Sequence, residues 1–128
     1  MSLHLGLFQQ FKGSDTLLIS GTPDDILHLS DRLGDFAASG AASWPVHGLA
    51  RAPASNSAEL FASREPYPHA TGHVWVCSPD SVSAIRGKLQ ALASSGLGHH
   101  YFDLLDSPIQ LMVSVGEYSE SWWSSAGA

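Results

Sequence analysis

Residues 16–40 (TLLISGTPDDILHLSDRLGDFAASG) and 72–96 (GHVWVCSPDSVSAIRGKLQALASSG) share one grammar at a constant offset of 56 positions (78 − 22). Thr22-Pro23-Asp24 corresponds to Ser78-Pro79-Asp80, and the offset carries Ile26 to Val82, Leu29 to Ile85, Leu33 to Leu89, Phe36 to Leu92 and Gly40 to Gly96 without a gap. Each correspondence has a physical reason. A Thr or Ser hydroxyl caps a helix by accepting from a backbone N–H that has no partner in the first turn. Proline at the first helical position lacks only a donor the helix leaves unused. Asp24, Asp25 and Asp80 put negative charge where the helix dipole favours it. The apolar spacing of three and four makes one stripe, and Gly40 and Gly96 suit a left-handed stop. The pattern predicts helices over about 22–39 and 78–95.

Short apolar runs, TLLIS and HVWVC, precede the helices and read as strands. Two further strand candidates follow each helix: WPVHGLARA and AELFASRE in the first half, HHYFDLL and IQLMVSVGEY in the second. The order is β-α-β-β, twice, with an extra edge strand at LHLGLFQ. Pro66 and Pro68 mark the join, so residues 1–128 read as one domain with halves at about 13–68 and 69–128. The expectation is an α+β fold: one mostly antiparallel sheet with both helices on one face.

Alternation assigns faces. Ile109, Leu111, Val113 and Val115 form the core row of their strand, and Gln110, Met112 and Ser114 the opposite row. In HVWVC the expectation is Val74 and Val76 inward, with His73, Trp75 and Cys77 outward. The helix-free face then presents Trp75, Met112, a histidine and an acid, a mixture enriched at interface cores. In HHYFDLL the outward set is either His99, Tyr101 and Asp103 or His100, Phe102 and Leu104.

The ending GEYSESWW raises its own question, because adjacent side chains on an extended segment point to opposite sides. One of Trp122 and Trp123 is expected over the sheet edge and the other at the surface, beside Glu117, Tyr118 and Glu120. Tryptophan and tyrosine are frequent binding hot spots, and surrounding acids steer basic partners.

Charge narrows the classes of partner. The formal net charge is −6, and residues 89–128 hold Asp103, Asp106, Glu117 and Glu120 with no lysine or arginine. Such a surface repels phosphate, and no basic stripe appears, so nucleic acid is not an expected partner. The start lacks a basic n-region, and no apolar run approaches the roughly 18 residues of a membrane span. A single cysteine, Cys77, excludes an intrachain disulfide and suits a reducing compartment, which together predict a cytoplasmic protein without a membrane partner.

Chemical motifs are sparse. His69, His73 and Cys77 are spaced by four, which aligns ligands only on a helix, and HVWVC reads as a strand. Cys77 precedes the cap at Ser78, where a helix terminus lowers a thiol pKa, yet a lone cysteine in an apolar strand fits core packing. No GxSxG, Walker loop or HExxH occurs, so no cofactor, metal or catalytic set is expected.

The stretches LLISGTPDDILHLSDRLGDFA and HHYFDLLDSPIQLMVSVGEYSESWW, in a small acidic chain without catalytic motifs, resemble the immunity proteins of bacterial polymorphic toxin systems, contact-dependent growth inhibition among them. The resemblance is one of style over most of the chain, with no signature residue to carry over. It implies a non-enzymatic protein, monomer or homodimer, that binds a cognate toxin domain. A basic nuclease is the expected toxin, a ribonuclease favoured, with its active site or surface covered. The residues expected to bind are Asp103, Asp106, Glu117, Tyr118, Glu120, Trp122 and Trp123, with Trp75 and Met112 next. Two other classes stay open: a small-molecule or metal-binding regulatory module, and a small enzyme using His73, His99 or Cys77.

Overall fold

The computed structural model describes residues 3–11, 13–51, 57–68 and 72–126. Both expected helices form. Helix α1 spans Pro23–Ser39 and α2 spans Pro79–Ser95. The Thr22 hydroxyl accepts the Asp25 N–H at 3.2 Å while the Asp25 carboxylate accepts the Thr22 N–H at 2.9 Å, a reciprocal capping box. Ser78 accepts the Ser81 N–H at 3.2 Å. The helices stop at Gly40 and Gly96, whose φ values of 80° and 75° favour glycine.

The fold is α+β as expected, but the strands form two mixed sheets rather than one mostly antiparallel sheet. These strands are β1 (Leu3–Phe11), β2 (Ser14–Gly21), β3 (Ser43–Pro45), β4 (Ala50–Arg51), β5 (Leu60–Ser63), β6 (His73–Val76), β7 (Gly98–Asp103) and β8 (Gln110–Val115). One sheet has the order β4-β1-β2-β8-β7 and the other β3-β5-β6. Strand β1 is not at the edge, because β4 pairs beyond it. The run WPVHGLARA breaks into β3, a 3-10 turn at Val46–Leu49 and β4, with Ala52 outside the described residues. Pro45, without an N–H, ends β3.

The two sheets are built alike, and each is built from both halves of the chain. Strand β2 of the first half lies parallel to β8 of the second, and β7 pairs antiparallel with β8. Strand β6 of the second half lies parallel to β5 of the first, and β3 pairs antiparallel with β5. Ser43, Trp44 and Pro45 pair with Ser63, Ala62 and Phe61 as His99, His100 and Tyr101 pair with Ser114, Val113 and Met112. The offset of 56 (99 − 43) therefore runs from first strand through helix to second strand.

The main core draws on both sheets and both helices. Leu17, Ile19, Leu60, Ala62, Leu111, Val113 and Val115 meet the stripes Ile26, Leu29, Leu33, Phe36 and Val82, Ile85, Leu89, Leu92. A smaller cluster of Leu18, Met112 and Trp123 lies on the opposite face of the five-stranded sheet, with helix α3 (Glu120–Ala126) supplying Trp123. Among the described residues no helix is long and apolar enough to cross a membrane.

Candidate functional site

The chain leaves β8 through Gly116, whose φ is 75° and whose absent Cβ would sit 2.6 Å from the Gly96 carbonyl oxygen. That turn carries Glu117–Ser119 around the strand ends and lays α3 over the outer sheet face, where the Ser119 hydroxyl accepts the Trp122 N–H at 3.1 Å. One cross-strand row on that face runs His4, Ser20, Ser114, His99. Every member is engaged. Trp123 stacks on His4 with centroids 5.0 Å apart and donates its indole N–H to the Ser20 hydroxyl at 2.6 Å. His4 Nε2 lies 3.0 Å from Glu120 Oε1. Ser114 donates to Glu117 Oε1 at 2.6 Å, and His99 Nδ1 meets the same oxygen at 2.9 Å.

Next to this row, Trp122 anchors a group of partly buried rings. Its centroid lies 4.6 Å from Tyr118, 5.3 Å from Phe8 and 6.1 Å from Phe11. Where β2 and β8 end and α1 begins, a cleft of about 500 Å³ is lined by His4, Asp25, Glu117, Tyr118, Glu120 and Trp122, among others, and by no lysine or arginine among the described residues. The hydrogen bond from His4 to Glu120, then the His4 charge, hold the Glu120 carboxyl below its usual value against a small opposing desolvation, with Arg51 adding a weaker pull.

The structure thus gathers Glu117, Tyr118, Glu120 and Trp122 on one face. Trp123 and Met112 lie there too but are buried beneath the face. Trp75 corrects the expected alternation: it is 2% exposed in the main core with Cys77, 5.1 Å from the Phe102 ring. Val74 is buried as well, so β6 is covered on both faces and alternation carries no polarity there. Asp103 and Asp106 sit at the other end of the β7–β8 hairpin, and Asp103 pairs with Gln110. The run Gln110–Val115 separates them from Glu117 by ~17 Å. Asp103 instead lines a second cleft, of about 480 Å³, with Trp75, Lys88 and Tyr101. Phe8 and Phe11 were missed, because a bulge between them, with Gln10 at φ 55°, breaks the alternation of β1.

Of the residues of the enzyme alternative, His99 lies within hydrogen-bond reach of the Glu117 carboxylate, at 2.9 Å, while Cys77 is buried in the main core. Burial pushes the Cys77 thiol up to about 12, which opposes a thiolate. Burial also lowers the His73 pKa. Among the described residues no three His, Cys, Asp or Glu side chains are placed to hold a metal, and His69 lies outside them.

No protein-family model matches the chain, and neither a curated protein nor a solved structure matches it significantly.

Proposed function

We propose that this chain is a non-enzymatic inhibitor of the immunity class, cytoplasmic, that binds and neutralises a basic toxin domain, a nuclease and in the first instance a ribonuclease. One observation carries the reading: half-buried rings of Phe8, Phe11, Tyr118 and Trp122 adjoin a cleft whose carboxylates, Asp25, Glu117 and Glu120, share its lining with no lysine or arginine among the described residues. Aromatic anchors beside a cleft lined by several carboxylates suit a basic partner, and nuclease active sites are basic because they bind phosphate. His4 and His99 orient the two glutamates, Trp123 fixes α3, and Trp122 is the anchor.

Calorimetry against the toxin domain encoded beside this chain tests the reading. Wild-type binding should weaken with salt, and Trp122→Ala should weaken it by roughly 30-fold or more, the scale of a hot-spot residue. Glu117→Gln with Glu120→Gln should remove most of the salt dependence. Folded wild-type protein that fails to bind that domain would overturn the reading. Binding that ignores all three substitutions would overturn the face.

A second reading, a small-molecule-binding module, rests on the other cleft, where Lys88 and Asp103 flank the apolar wall of Trp75 and Phe102. A ligand that raises the melting temperature, and loses that effect in Lys88→Met, would favour it.

A further inference from the structure

The correspondence between the halves is carried into three dimensions at one contact. Arg86 Nε donates to the Ser30 hydroxyl at 3.3 Å, and these positions are themselves separated by the offset of 56 (86 − 30). Equivalent positions of two modules touch where an approximate two-fold axis passes between them. This contact places such a relation between α1 and α2, where Arg86 also reaches Asp31 at 3.5 Å and closes over Gly34. The strand pairings follow the same reciprocity: β2 of the first half pairs with β8, and β6 of the second half pairs with β5.

Within each half, β2 pairs with none of β3 and β5, and β6 pairs with neither β7 nor β8. Among the paired strands β2 to β8, the parallel pairings are both made between halves. Whether the two halves belong to one chain or to two makes no difference to these pairings. Only the join decides it, residues 64–72, whose described part is exposed around Pro66 and Pro68 with Tyr67 at 70%.

We infer that the docking surface each half offers the other also accepts the matching half of a second copy of this chain. The product is a reciprocal dimer in which the first half of each copy folds with the second half of its partner. It keeps the β2–β8 and β5–β6 pairings and the α1–α2 packing, and it differs from the single chain at the join. This inference is independent of what the face around Trp122 binds.

The join sets the balance, because a hinge too short to return forces exchange between copies. Leu60 is the register partner of His73, so after Ser63 the chain runs back along three residues, ~10 Å, and steps sideways by one strand, ~5 Å. Deleting residues 65–72 leaves one residue, whose two peptide steps reach at most ~7 Å against a displacement of ~11 Å, so the path cannot close within one chain. The experiment is light scattering after size exclusion on this deletion variant. The expected result is a folded particle of twice the chain mass that persists for hours after hundredfold dilution, since separation requires β2 or β6 to leave its sheet. A folded monomer overturns the inference, as does a dimer that dissociates on dilution, which marks surface association. If the variant does not fold, the unaltered chain refolded from urea at high concentration decides. A dilution-resistant dimer with the native near-ultraviolet spectrum upholds the inference, and monomer alone overturns it.

Discussion

Trp123 and Ser20, 103 positions apart, meet in a buried hydrogen bond of 2.6 Å from indole N–H to hydroxyl. The bond answers the question posed by two adjacent tryptophans. In an extended tail they would point to opposite sides, but α3 is helical, and neighbours on a helix lie about 100° apart around its axis. Trp123 therefore drops onto Leu18 and Met112, while Trp122 lies beside it against Phe8 and Tyr118 and lines the acidic cleft. One ring holds the face, and the other belongs to it.

The two tryptophans should separate stability from binding. Trp123→Ala removes a ring that is 3% exposed and is expected to cost ~3–5 kcal/mol. Ser20→Ala strands the indole N–H and should cost ~1–3 kcal/mol. Trp122→Ala, at a half-buried position, should cost less than half as much as Trp123→Ala. Urea denaturation of the three variants gives the order, and equal losses at Trp122 and Trp123 would contradict the division of roles.

Cys77 should behave as core. Its burial and its thiol pKa near 12 leave almost no thiolate at neutral pH. A thiol reagent such as Ellman's is expected to modify the native chain only at the rate of opening. The rate should therefore rise steeply through the urea transition and follow loss of structure. Fast modification of folded protein at pH 7 would show that β6 opens locally.

Much of the helical layer was legible in the chain, and less of the sheets. Cap, proline and glycine at Thr22, Pro23, Gly40 and at Ser78, Pro79, Gly96 are local signals, and local signals fix helix ends. Alternation gave the faces of β8 correctly, with Leu111, Val113 and Val115 in the main core and Met112 opposite. It left strand partners open, because a period of two says which face a residue occupies and nothing about which strand lies beside it. Exchange of β2 and β6 between halves is therefore invisible locally, although the 56-residue offset that accompanies it was plain. The candidate face was half legible: Glu117, Tyr118, Glu120 and Trp122 are close in sequence, whereas His4, Phe8, Phe11 and Asp25 reach the same place only through the fold.

Gly116 should be intolerant of any side chain. Its φ of 75° disfavours L residues, and a Cβ would lie 2.6 Å from the backbone oxygen of Gly96, itself at the end of α2. Gly116→Ala has to displace backbone on one side or the other and is expected to cost more than ~1 kcal/mol. It should also loosen Glu117 from Ser114 and His99, which amide exchange over residues 114–123 would detect. Wild-type stability and exchange would rule out this close approach.

Two groups should make stability fall in acid, in separate windows. Burial holds the His73 pKa below its ordinary 6.5, so between the folded value and 6.5 the unfolded chain binds more protons at this site. Stability from His73 is then complete above pH 6.5 and declines as pH falls through that window, the reverse of a histidine whose pKa is raised by a partner. Glu120 acts lower. Its hydrogen bond to His4, the first cause, and the His4 charge depress its pKa below 4.5, so its contribution is present above 4.5 and is lost as pH falls through the folded value. Urea unfolding from pH 2 to 8 separates the two. His73→Gln should flatten the slope just below pH 6.5 and leave the lower limb intact. Glu120→Gln should do the converse. A His73→Gln slope identical to wild type around pH 6 would place the source of that limb at another histidine.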